Sequence, residues 1–155
     1  MPFTLFKFLH IITMFTAVSA AVIPEVILQW VARSGDVGAI RVLAGIAARI
    51  GKLLPIFFVG GAIFGLLAAA TGQLNFFQPW LIGAYIVFII AMFTGATITG
   101  PWAERMATTS AASGNEGPSD ELVLVMHDQR AAIGSVVLMS SIVLIIFLMV
   151  FKPGS

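Results

Sequence analysis

The chain has 155 residues, 59% of them hydrophobic and 10% charged, with a formal net charge of +1 and a mean hydropathy of +1.05. A soluble domain covers itself with about 25% charged residues, so most of this surface must face lipid, and the near-neutral balance gives no footing for a nucleic-acid partner. With no cysteine in the chain, disulfides, thiolate metal sites and cysteine nucleophiles are excluded.

A spanning helix takes about 20 residues. Four such helices and two longer connections use the whole length, so a single integral membrane domain over residues 1–155 is expected, with no room for a separate globular domain. The first apolar segment covers about 3–30. Lys7 precedes it, and Val18-Ser19-Ala20 resembles a small-residue cleavage site. The apolar stretch continues from Ile11 to Trp30, however, which is longer than a signal core, so it is expected to remain as the first span. Thr13, Thr16 and Ser19 can bond back to helix carbonyls, and Pro24 predicts a kink.

Ser34-Gly35-Asp36 reads as a turn followed by a helix cap. Beyond it Ile40, Leu43, Ala44, Ala47 and Ile50 share one helical face, with Arg41, Arg49 and Lys52 on the other. This pattern predicts a short amphipathic helix over about 37–50, lying in the lipid headgroup plane; an extension of the second span is the competing reading. The second span is expected at 53–71, with Gly61 and Gly65 forming a small-xxx-small motif that lets backbones approach. A short uncharged loop, Gly72 to Pro79, makes spans two and three an antiparallel hairpin. Trp80 anchors the third span, expected at 80–100, with Ala91, Gly95 and Thr99 as its small stripe and Gly100-Pro101 as its end. Thr108 to Asp120, rich in Ser, Gly and Ala, predicts a mobile connection, and Glu121 to Arg130 a lead-in to the fourth span at 131–151. The expected fold is all-α: a four-helix transmembrane bundle with a short interfacial amphipathic helix between helices one and two.

The first connection carries Arg33, Arg41, Arg49 and Lys52 and the third carries Arg105 and Arg130, against Lys7 and Lys152 on the opposite side. The positive-inside rule then puts both termini outside, in the frame of a bacterial inner membrane.

Of the two histidines, His10 falls within a span, on a face shared with Thr13, Ala17, Ala21 and Pro24 that should point into the bundle. An ionisable group there is costly and invites a functional reading. Three readings stand open for it: a hydrogen bond to a neighbouring helix, ligation of haem iron, or proton or metal handling. His127, beside Asp128 and Arg130, reads as a solvated residue at the far membrane surface, too deep on the other side to share one haem with His10. Glu25 is expected to reach the inner interface and Ser135, Ser140 and Ser141 to serve packing. Lipid is the expected surrounding, with a second copy or a larger membrane complex as protein partner.

Phe6-Lys7-Phe8-Leu9-His10-Ile11, the Arg-bearing connection with Ser34-Gly35-Asp36, Gly100-Pro101, and Met149-Val150-Phe151-Lys152-Pro153 resemble a bacterial family of integral membrane proteins of unknown function. The resemblance spans nearly the whole chain through short motifs. More distantly the layout is similar to the copper-resistance D type of membrane domain and to the HemJ-like protoporphyrinogen oxidases. In the oxidases a Lys-x-x-His element on the first helix supplies a haem ligand, which implies His10 as ligand of a haem b, with Lys7 before it. This chain departs from that group: it reads Pro24-Glu25-Val26 where they carry an Arg, and it has no Lys or Arg between Trp80 and Thr99. The implied function is a haem-binding redox or accessory membrane component. A haem-dependent porphyrinogen oxidase and a non-catalytic structural subunit are the alternatives.

Overall fold

The computed structural model describes residues 1–114 and 117–154. Among them every regular element is a helix: α1 (Pro2–Ala32), α2 (Val37–Thr71), α3 (Pro79–Thr94), a π-helical turn (Gly95–Thr99), α4 (Gly100–Ala112), α5 (Asp120–Met126) and α6 (Gln129–Phe151). Four stretches are long and apolar enough to cross a membrane: Pro2–Ala32, Val37–Thr71, Pro79–Ala112 and Asp120–Phe151. In lipid every backbone polar group must be satisfied within the chain, and long helices do this. The protein is therefore a multi-pass membrane protein built as a helical bundle.

The link from α1 to α2 is short because the turn chemistry is strong. Ser34 Oγ donates to Val31 O at 2.7 Å, Gly35 takes a φ of +71° that a side chain would resist, and Asp36 Oδ1 accepts from Ala39 N at 3.0 Å. The chain thus reverses within residues 33–36, and α1 and α2 pack along each other as an antiparallel pair. Helices α3 and α6 form the second pair.

The expected separate helix over 37–50 is instead the first part of α2, which runs on to Thr71 through Pro55. Its apolar face is buried as the spacing predicts, against protein and not headgroups. Ile40 and Ala44 join Leu28 and Ala32 of α1, Trp102 and Met106 of α4, Leu122 and Val125 of α5 and Ala131 of α6 in one buried cluster. Its polar face also has a protein partner. Arg41 Nε donates to Ser110 O at 3.0 Å and its Nη2 to Ser113 O at 2.8 Å, placing a cation on the carbonyl end of α4 where the helix dipole favours one.

Gly100-Pro101 does not end the third span. The helix widens into the π turn, in which Gly100 N–H donates to Gly95 O. A wider turn ahead of Pro101 accommodates the ring that would crowd a regular helix, and the helix continues to Ala112. Gly95 accordingly serves the backbone: nothing lies within 4 Å of where its Cβ would be, so it does not mark a helix contact. Of the segment expected to be a mobile connection, residues 108–112 are the last turns of α4, with Ser110 fully buried; positions 115 and 116 lie outside the described residues. Ser119 caps α5, accepting from Leu122 N at 3.3 Å. Asp128 Oδ1 caps α6, accepting from Arg130 N at 2.9 Å, while its Oδ2 pairs with Arg105 Nη2 of α4 at 2.7 Å.

The buried cluster gives the molecule a helical head at the end where α1 turns into α2. Leu28, Ile40, Met106 and Leu122 are fully buried there, and burial of such a side chain contributes about 1.5–3 kcal/mol where the alternative is water. Met106→Ala should therefore lower the unfolding free energy in detergent by about 2–5 kcal/mol. Ile89→Ala, at a side chain 65% exposed on α3, should leave it nearly unchanged. Chemical denaturation followed by circular dichroism measures both.

Candidate functional site

His10 lies where α1 crosses the glycines of α2. An added Cβ on Gly65 would stand 2.9 Å from His10 Cε1 and Nδ1, and one on Gly61 would stand 2.5 Å from Met14 Sδ. The motif Gly61-xxx-Gly65 is thus a groove that receives the side chains of α1, as its spacing predicts. His10 Nδ1 is 2.7 Å from Gly61 O. A carbonyl only accepts, so Nδ1 carries the hydrogen of this bond. The Nδ1–Cε1 edge faces α2, which turns Nε2 away from the Gly61 carbonyl. The small face of α1 points inward as expected, Ala17 being fully buried. Lys7 is exposed, with Nζ 5.9 Å from the Phe3 ring centroid.

The two histidines stand far apart. His127 is exposed, with Nδ1 2.9 Å from Val123 O, and it lines a cleft shared with Gln29, Ala32, Arg33, Trp102, Asp128 and Ala131. Gln29 and Arg33 lie 19 and 23 residues beyond His10 on the same helix, which is about 30 Å of helix. The fold therefore keeps them from sharing one haem. Among the described residues no group of three or more His, Cys, Asp or Glu comes together.

A second polar centre joins α1 to α6. Glu25, expected to reach out to the interface, is 9% exposed. Its Oε1 accepts from Ser135 Oγ of α6, and Gln29 Nε2 donates to Ser135 Oγ. Ser135 Oγ also lies 3.0 Å from Ala131 O. Ser135 is thus the hub of a polar contact between α1 and α6, and not a mere packing residue. One signal was available: Glu25 and Gln29 sit four residues apart, beside Leu28 and Ala32 on the side of α1 that is buried. Their partner is 110 and 106 residues away in sequence, and only the helix pairing reveals it.

One further group lacks a partner. The Tyr85 hydroxyl on α3 is buried with no hydrogen bond among the described residues.

Comparison with known proteins returns no matching family model, no curated relative and no solved structure.

The groove carries a direct test. Gly65→Leu should drive α1 off α2 by colliding with the His10 ring, and lower the melting temperature in detergent. Gly45→Ala, where nothing lies within 4 Å of the new Cβ, should leave it unchanged or raise it slightly through helix propensity.

Proposed function

We propose that this chain is a non-catalytic accessory component of the bacterial inner membrane, a four-span bundle with both termini outside and its helical head in the cytoplasm. It acts by packing against a second copy or a larger membrane complex. The carrying observation is the Nδ1–Gly61 bond, by which the histidine of the first span fastens α1 to α2. The wide apolar faces of the spans are consistent with this. In the most apolar window of each span, only 17–22% of residues are buried inside the chain, leaving the rest for lipid or neighbouring helices. The orientation rests on Arg33, Arg41, Arg49, Lys52, Arg105 and Arg130 lying on the head side. The bacterial setting rests on the resemblance.

The same bond favours a second reading. Metal-bound histidines characteristically give their other ring N–H to a carbonyl or carboxylate, which fixes the tautomer and strengthens the ligand. His10 has that arrangement, with Nε2 as the nitrogen left to ligate. A haem b held there would supply one-electron redox chemistry. His10 would be its only histidine ligand from this chain, close to the outer surface.

Two experiments test these readings. Protein purified after expression with ample haem should be colourless and should co-purify with membrane partners or as an oligomer if the first reading holds. A Soret band that His10→Ala abolishes, with the bundle still folded, selects the haem reading. Turnover of a porphyrinogen by that coloured protein would then make it an oxidase. For topology, a reporter fused at the C-terminus should read as periplasmic and one inserted after Gly114 as cytoplasmic; the reverse pair of signals overturns the orientation.

A further inference from the structure

We propose that Glu25 is a proton-binding site of the bundle, loaded through the Ser135 hydroxyl from the cleft between α1, α4 and the α5–α6 junction. The argument begins with the hydrogen-bond inventory of one oxygen. Ser135 Oγ has three polar neighbours: Glu25 Oε1, Gln29 Nε2 and Ala131 O. A hydroxyl donates once and accepts twice. When Glu25 is ionised, Gln29 donates to Ser135, and Ser135 donates to the carboxylate. When Glu25 is protonated, both Gln29 and Glu25 donate to Ser135, whose own hydrogen turns to Ala131 O at 3.0 Å. Rotation of one hydroxyl therefore satisfies the cluster in either protonation state. A purely structural pair needs only one of these arrangements; a site that exchanges a proton needs both.

The cleft supplies the route. Gln29 and Ala131, two of the three groups around Ser135 Oγ, line the cleft with Arg33, His127 and Asp128. A hydronium ion arriving there passes a proton to Ser135 Oγ as the hydroxyl's own hydrogen moves to Glu25 Oε1. The hydroxyl then turns towards Ala131 O, and a water molecule is left in the cleft. Gln29, bonded to Ser135, must swing aside for this and is the gate.

The charged groups around the route come from each neighbouring element. Arg33 of α1, His127 and Asp128 line the cleft, and Arg105 of α4 is paired with Asp128. On α2, Arg41 binds the end of α4, while Arg49 and Lys52 are exposed. None of these is ion-paired with Glu25.

The test is infrared difference spectroscopy of the full chain in liposomes during pH jumps, reading the C=O stretch of a protonated carboxyl. A band that responds to pH and is lost in Glu25→Gln is expected. Ser135→Ala should shift that band and slow its response, and Gln29→Ala should speed it. Because the chain has no cysteine, Ala132→Cys at the cleft wall gives a unique handle, and a bulky thiol reagent there should slow the response at least several-fold. These last three variants retain Glu25, so they decide the matter even where Glu25→Gln does not fold. The proposal is overturned if no band belongs to Glu25, if neither Ser135→Ala nor the blocked cleft changes the rate, or if the band answers only to pH on the opposite face of the liposome. It is also overturned if sodium ions, at constant pH, displace the signal, since the site would then bind a metal cation.

Discussion

The contact of the first turns of α2 with the length of α4 is what makes two helix pairs into one molecule. Helix α1 packs on α2 and α3 packs on α6, while the direct contact between α1 and α6 is slight. The pairs meet chiefly where Ile40 and Ala44 face Trp102 and Met106. Three polar bonds from two side chains fix the register of that meeting. Arg41 grips the carbonyls of Ser110 and Ser113, and Trp102 Nε1 donates to Val125 O at 2.9 Å, drawing α5 over the same cluster. The location has a physical logic. Apolar contacts between helices gain little in lipid, which is as apolar as the side chains themselves. Where helices leave the hydrocarbon, apolar burial regains the driving force that water supplies.

Within the spans, association rests on close approach and on polar groups that lipid cannot satisfy. Gly61, Gly65 and Gly72 receive Met14, His10 and Phe3 in turn, and Gly134 receives Ile98 and Thr99 at the π turn. The hydroxyls of Thr16, Thr71 and Thr97 bond to carbonyls one turn back on their own helices. They cost little and contribute nothing to specificity between helices. The side chains that do specify neighbours are few, and they are the ones whose polar atoms cannot be satisfied locally.

The legible part of this fold was what period and length encode. Four spans follow from hydropathy, the reversal at Ser34-Gly35-Asp36 from turn chemistry, and the inward face of His10 from Thr13 and Ala17 beside it. Periodicity at 37–50 correctly gave a buried face, but a buried face does not say whether lipid headgroups or another helix buries it. Gly100-Pro101 misled because a π turn lets a helix pass a proline, and the five residues from Gly95 to Thr99 carry no pattern that distinguishes such a turn from ordinary helix. Glu25 has other surroundings than its place near the end of the span suggests. A carboxylate near an interface can snorkel to water or turn inward, and only a hydroxyl on a helix 110 residues away decides which.

His10 and Glu25 obey one rule at opposite ends of α1. Each is an ionisable group on a span, and each is tied to a different neighbour, His10 to the backbone of α2 and Glu25 to Ser135 of α6. They are 15 residues apart in sequence, about 22 Å along the helix. The two ties are unequal in consequence. Along α2, the His10 bond adds to an extensive helix contact. Towards α6 the apolar contact is slight, so the Glu25–Ser135–Gln29 cluster is the main specific bond between these helices. A change in the protonation of Glu25 therefore acts on the contact between α1 and α6, whereas a change at His10 acts on a seam that Gly61 and Gly72 still hold closed.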